Sequence, residues 1–188
     1  SALSMDKRTL FIADTYVNET PTAEQLARIA LKSAEQVRTF GLPPKVAFVS
    51  HSNYGSSRRE SARRVREAYE IFRGMAPDVE CDGEMHGDAA MREAIRRDNL
   101  MESSLHGEAN ILVCPNIDAA NILFNVLKAV TSGATTMGPM LMGAAAPAHV
   151  MTPSSTVRRV LAMMALVSAQ AGQKATLRPS NPRSALRG

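Results

Sequence analysis

Short apolar runs alternate with longer stretches in which apolar residues recur every three or four positions. Thr9–Ala13 is a continuous apolar run ending at Asp14 and predicts a buried strand. Thr22 is a candidate cap, and Leu26, Ile29, Ala30, Ala34 and Val37 repeat at helical spacing until Gly41, with Pro43-Pro44 blocking continuation. Lys45–Ser50 is the clearest strand, followed by the small polar loop His51–Ser57 and a helix from about Ser57 to Arg73. Val79–Glu84 predicts a strand, Asp88–Arg97 a helix, Asn110–Cys114 a buried strand closed by Pro115-Asn116, and Asp118–Val130 a helix. Thr135–Met142 reads as strand-like, and a last helix covers roughly residues 155 to 170. Strands that are continuous apolar runs and alternate with helices predict an α/β fold, a three-layer sandwich with a mostly parallel sheet covered on both faces.

Composition adds limits. With 188 residues, 45% of them apolar, the chain can bury a sizeable core. Aromatics are 4%, Trp is absent and Met numbers 11, so that core is aliphatic and methionine-rich. The net charge is +4. Arg58, Arg59, Arg63, Arg64 and Arg66 share one predicted helix with Glu60, Glu67 and Glu70, which favours ion pairs such as Arg63 with Glu67 and Arg66 with Glu70. No stacking aromatics interleave that charge, which argues against a nucleic-acid partner. Cys81 and Cys114 fall in predicted strands without metal spacing, as reduced core residues of a cytoplasmic protein. No run reaches the ~18 apolar residues that span a bilayer, which argues against a membrane partner.

In parallel sheets, ligands bind at the carboxyl ends of strands. Three polar segments are expected there: Ser50–Ser56, Pro115-Asn116 and Gly138–Gly143. In the first, Ser50, Ser52, Asn53 and Ser56 precede a helix, so amides and hydroxyls could face an anion; a plain helix-capping loop is the equal alternative. There is no Walker loop and no GxGxxG. Asp82, Glu84 and Asp88 surround His86 and could form an acid/base pair or serve only as caps and loop hydrogen bonds. The four histidines lack metal spacing, so no metal site is expected.

Several strings then fall into one order: Asp14–Asn18 (DTYVN), Pro21–Gln25, Ser50–Ser56 (SHSNYGS), Asp82–Asp88 (DGEMHGD), Asp118–Ile122 and Gly138–Gly143 (GPMLMG). Over roughly residues 8 to 172 they resemble the phosphate acetyl/butyryltransferase family. Some, with the run TPSSTVRR, are similar to the C-terminal domains of the large bacterial NADP-dependent malic enzymes. The resemblance implies the second domain of the phosphate acetyltransferase fold (isocitrate/isopropylmalate dehydrogenase-like). Residues 1–7 would be a cloning remnant and lead-in, 8–145 the domain, 146–172 a segment returning to an absent first domain, and 173–188 a mobile tail.

Active family members carry a Ser-Arg pair before the last helix and an Asp at its start, which takes the proton of the CoA thiol. Thr152, Pro153 and Arg159 stand there, and Asn125 replaces a lysine that follows the Asn-Ile motif. Proline has no charge and no donor, and arginine is no base near neutral pH. The resemblance therefore implies lost transferase chemistry, with no catalytic residue and no cofactor in this domain. It implies a pocket for acetyl-CoA or a related acyl-CoA as effector, lined by Ser50, Ser52, Asn53, Ser56, Asn116, Asn121, Gly138, Pro139, Thr152, Arg158 and Arg159. It also implies self-association, in part through the apolar face of the last helix, and a malic enzyme catalytic domain in the same parent chain. That part would hold NADP and a divalent metal, Mg or Mn. The alternative is an active transferase moving an acyl group between CoA and phosphate.

Overall fold

The apolar runs of the sequence stack as strands, and the helical repeats lie across them. The computed structural model describes residues 1–6, 8–99, 103–151, 153 and 155–176. In chain order the elements are β1 (Ala2–Met5), β2 (Arg8–Ala13), α1 (Ala23–Thr39), β3 (Lys45–Val49), α2 (Glu60–Met75) and β4 (Glu80–Met85). They continue as α3 (Gly87–Met91), α4 (Glu93–Asn99), β5 (Ile111–Val113), α5 (Ile117–Val130), β6 (Thr135–Met137) and α6 (Val157–Thr176).

One six-stranded sheet has the order β4-β3-β5-β2-β1-β6. β2, β5, β3 and β4 are mutually parallel, and β1 runs against both β2 and β6. Strand alternation sends Phe11, Phe48 and Ile111 to one face, under Leu26 of α1, Phe72 of α2 and Met163 of α6. Ile12, Ala47 and Leu112 face the other way, under Ala89 of α3 and Ala120 and Phe124 of α5. The predicted three-layer α/β architecture is thus what the chain adopts. Phe48 and Phe72 are fully buried, with ring centroids 5.6 Å apart. Burying each such ring contributes about 1.5–3 kcal/mol, so this pair anchors the α2 side of the core.

Local signals set the helix starts. Thr22 accepts from the Gln25 amide, and the Gln25 side chain accepts from the Thr22 amide, closing a capping box on α1. Glu24 lies in the first turn; its bond from the Thr22 hydroxyl, then the backbone amide, hold its carboxyl below the usual range. α1 ends at Phe40 and Gly41, where φ of +72° suits glycine.

Several expectations need correction. Residues 1–7 do not all stand outside the fold, because β1 is an inner strand with Ala2 and Leu3 buried. Thr135–Met142 is a strand only to Met137; Gly138-Pro139 ends it because proline has no amide for the ladder. The helix over Asp88–Arg97 is two, broken at extended Arg92. α2 begins at Glu60, with Arg58 ahead of it and Arg59 as its N-cap. Arg66 does not pair with Glu70 along the helix but with Glu84 of β4. α6 continues to Thr176, so residues 173–176 are helical and not the start of a loose tail; residues 177–188 lie outside the described part. Within 146–172, Met163 of α6 is buried against this sheet.

Candidate functional site

β2, β3, β4, β5 and β6 all point one way, so their carboxyl ends form a single rim. Asp14, Ser50, His86, Pro115-Asn116 and Gly138-Pro139 follow the strands there. β2 leads to α1 on one face of the sheet, whereas the adjacent β5 leads to α5 on the other. Such a divergence opens a crevice between neighbouring strands, where ligands of open α/β sheets bind.

The β3 end is built around a buried carboxylate. Phe48 pairs with Gly83 and Val49 with Met85, leaving Glu84 as an extra residue in β4. A bulge of this kind re-aims a side chain. Gly83 makes it possible, since at its φ of +150° a Cβ would stand 2.7 Å from Phe48 Cβ. Glu84 is fully buried and lies beneath the Ser50–Ser56 loop. Ser52 Oγ donates to its Oε1 at 2.7 Å and the Gly55 amide at 2.9 Å. Arg66 donates through Nε and Nη2, each at 2.8 Å. Burial alone would raise the carboxyl pKa; the donors from Arg66, Ser52 and Gly55 outweigh it and hold the group below the usual range.

The anion that this loop embraces is therefore the protein's own glutamate. Ser52 is 0% exposed, and its hydroxyl also accepts from the Ser57 amide. Ser56 Oγ meets Ser52 Oγ and accepts from the Asn53 amide. Asn53 accepts from the His86 amide at 2.7 Å and lies 3.2 Å from His86 Nδ1 through Nδ2. His86 thus pairs with an amide, not a carboxylate. Asp82 accepts from the Gly83 amide and the Ser103 hydroxyl, and Asp88 from the Ala89 amide. The acidic residues around His86 are structural acceptors.

The middle of the rim joins the ends of β2 and β5. Asp14 accepts from the amides of Tyr16, Val17 and Asn18 and from the Asn18 side chain, which curls the loop around its carboxylate. Asn116 caps α5 by accepting from the Ala119 amide at 2.9 Å. Asn121 reaches across to the Thr15 carbonyl at 3.1 Å, and Asn125 bonds back to Asn121. Arg64 donates to the Pro115 carbonyl at 3.4 Å, and its Nε is enclosed without a protein partner.

The third part follows β6. Gly138 has φ of +117°, and its amide lies 3.2 Å from Met163 Sδ. Its carbonyl accepts two bonds from Arg159, through Nε at 2.8 Å and through Nη2. Arg159 is therefore neither a solvent-facing helix charge nor an open anion ligand. Arg158 is exposed, Pro153 is exposed, and Thr152 lies outside the described residues. A cleft of about 240 Å³ runs beside this segment, walled by Thr15, Tyr16, Val17, Pro139, Leu141 and Val150. Tyr16 and Val17 lay inside the quoted DTYVN string; what marks them in the structure is apolar surface, 47% and 63% exposed, at a polar rim.

The predicted positions are thus spread, not clustered. The β3 and β6 ends lie four strand spacings apart, about 19 Å at ~4.8 Å each. Asn116 and Asn121 lie between. Only an elongated ligand reaches both ends. Among the described residues, no group of three His, Cys, Asp or Glu could hold a metal ion, and no helix is long and apolar enough to cross a membrane.

Comparison with known proteins sets this geometry in context. The model of the phosphate acetyl/butaryl transferase family matches residues 1–168. The NADP-dependent malic enzyme of Salmonella typhimurium is 54% identical over 171 residues, 91% of this chain but 22% of that protein. The phosphate acetyltransferase of Paracoccus denitrificans is 36% identical over 162 residues, 86% of this chain and 51% of that protein. A crystal structure of a phosphotransacetylase from Streptococcus pyogenes superposes with a TM-score of 0.85 at 30% identity, covering 92% of this chain and 54% of that one. The chain thus spans about a fifth of that malic enzyme and about half of these two transferases.

Proposed function

Because the chain belongs to the phosphate acetyl/butaryl transferase family, we propose that its rim of strand ends binds an acyl-CoA, acetyl-CoA first among them, as a regulatory and oligomerising module of a malic enzyme. The observation that carries the non-catalytic half is Arg159. By the sequence resemblance it stands where active members hold the Asp that deprotonates the thiol. Here it is a guanidinium bonded to the Gly138 carbonyl. Arginine stays protonated near neutral pH, and without a base no thiolate nucleophile forms.

The ligand half is supported by shape. The rim is long, apolar at Tyr16, Val17, Leu141 and Val150, and bears the exposed Arg158 on α6. A nucleotide carrying an extended thioester arm has those dimensions and that mix of charge and apolar length. Regulation then requires that the ligand favour one of two states of the whole enzyme. The catalytic part, with NADP and Mg or Mn, belongs to the remainder of the parent chain, and a cytoplasmic setting fits both.

Self-association is supported by two apolar stripes. Ile122, Val126 and Val130 on α5 are 64%, 52% and 72% exposed, and Val157, Leu161 and Met164 on α6 are 77%, 60% and 61% exposed. Contiguous apolar surface of this kind is unfavourable in water and marks an interface. Sedimentation of the full-length protein should show a dimer or larger; a monodisperse monomer at high concentration removes this part.

The deciding experiment assays the full-length protein for acetyl phosphate and CoA turnover, titrates it with acetyl-CoA by calorimetry, and follows malate oxidation. Expected are no turnover above blank, saturable binding and altered malate oxidation. Robust turnover overturns the reading in favour of an active transferase. Absence of both binding and effect leaves a purely structural domain.

A further inference from the structure

Among the ties on the segment from Met140 to Val150, which walls the clefts beside Gly138-Pro139, is one directional chain of hydrogen bonds. Its backbone closes on itself through a single bridge between Met140 and His149. The Leu141 amide donates to His149 Nδ1 at 3.1 Å. A backbone amide can only donate, so Nδ1 carries a lone pair and the proton sits on Nε2. Nε2 lies 3.0 Å from Gln170 Oε1 of α6 and donates to it. The Gln170 amide then donates to Gln36 Oε1 of α1 at 2.7 Å, and Gln36 donates to Thr39 Oγ1 at 2.9 Å. Each link has one polarity, and the first of them, at Nδ1, requires a neutral imidazole.

A second proton on His149 breaks the pattern at one point. Nδ1–H would face the Leu141 N–H, donor against donor, while the bond to Gln170 would survive. Charged groups border the strap from other elements: Asp14 after β2, and Arg28 and Lys32 of α1, share a hollow with Met140, Leu141 and Met142. Residues 140–150 contain no charged side chain, nor does α6 between Val160 and Gln173. On α1, Lys32 and Glu35 border the adjoining hollow beside Gln36 and Gln170, and they pair with each other at 2.8 Å.

We propose that His149 is a positioning residue: its neutral ring holds the 140–150 strap in shape, and its protonation releases the strap and weakens ligand retention at the rim. The ligand half rests on the acyl-CoA reading above; the strap half stands without it.

Two variants separate the roles. His149→Asn offers an acceptor near the Nδ1 position and cannot be protonated. His149→Phe keeps a ring and removes the acceptor. Hydrogen exchange of the Leu141 amide in the full-length protein is measured at pH 8 and pH 5.5, corrected for intrinsic rates. In the wild-type protein, protection should fall by about two- to tenfold at the lower pH, the worth of one exposed hydrogen bond. His149→Asn should show the same protection at both values, and His149→Phe low protection at both. Wild-type protection that ignores pH, or a Phe variant as protected as wild type, overturns the proposal. Acetyl-CoA calorimetry at the same two values gives the second arm: affinity should fall with pH in wild type and not in His149→Asn. Strap loosening with pH-independent affinity refutes the link to the ligand. No binding at either pH refutes the acyl-CoA reading instead, and the exchange data alone then decide the strap.

Discussion

Replacing Glu84 by glutamine exchanges one oxygen for an amide nitrogen and leaves the volume unchanged. The carboxylate accepts four bonds, two from Arg66 and one each from Ser52 and Gly55. In Glu84→Gln the remaining oxygen can serve Ser52 and Gly55, and the new NH₂ then opposes the Arg66 guanidinium, donor to donor. Hydrogen bonds to charged groups contribute about 1.5–3 kcal/mol each. The Arg66 side chain is 36% exposed and can turn to water, which moderates its loss. A net cost of about 2–3 kcal/mol follows. With a urea slope of about 2 kcal/mol/M, the midpoint should drop by about 1–1.5 M. The pH dependence has a definite sign. The folded pKa lies below the ordinary 4.5, so the contribution is fully present above 4.5 and disappears as pH falls through the folded value. The gap between wild type and variant should be flat from pH 8 to 5 and close below about 4.5. A variant as stable as wild type at pH 7, or a gap that widens in acid, refutes the reasoning.

Arg96 is fully buried and donates to the carbonyls of Ala89, Leu105 and Gly107 at 2.9, 2.6 and 2.8 Å. Arg96→Leu strands those acceptors and should lower unfolding free energy by about 3–5 kcal/mol in urea melts; a loss below about 1 kcal/mol would contradict a structural role. Burial pushes the thiols of Cys81 and Cys114 up to about 12. Both should resist iodoacetamide in native protein at pH 8 and label only as urea unfolds it, whereas rapid native labelling of either would show an open site.

The parallel core was legible because continuous runs such as Lys45–Ser50 admit few other readings. The start of α1 was legible because a cap is a local signal, closed within Thr22 to Gln25. β1 and β6 were harder, at four and three residues with no turn pattern to announce them. Arg66 shows the limit of local rules. Spacing along α2 pointed to Glu70, but a buried carboxylate on another element offers a stronger partner than an exposed one four residues away. Ser50–Ser56, Asn116 and Gly138-Pro139 do lie in loops at strand ends, whereas Asn121, Arg158 and Arg159 are helical. Their inward bonds were not readable, since Ser52 and Asn53 look identical in sequence whether they face a ligand or Glu84 and His86.

β1 also bears on how this fold is assembled. Its pairing with β2 is a tight local hairpin, from Met5↔Arg8 to Ala2↔Phe11. Its other edge receives β6, drawn from the far part of the chain, at Ala2↔Met137. Contacts between distant segments form slowly, because a long loop must close before any pairing compensates the lost entropy. During synthesis both hairpin edges therefore wait, that of β2 for β5 and that of β1 for the still later β6. Until β6 pairs, the β1 edge beside the Gly138 end of the rim stays open, and a nascent chain stalled before Thr135 would expose it to neighbouring strands.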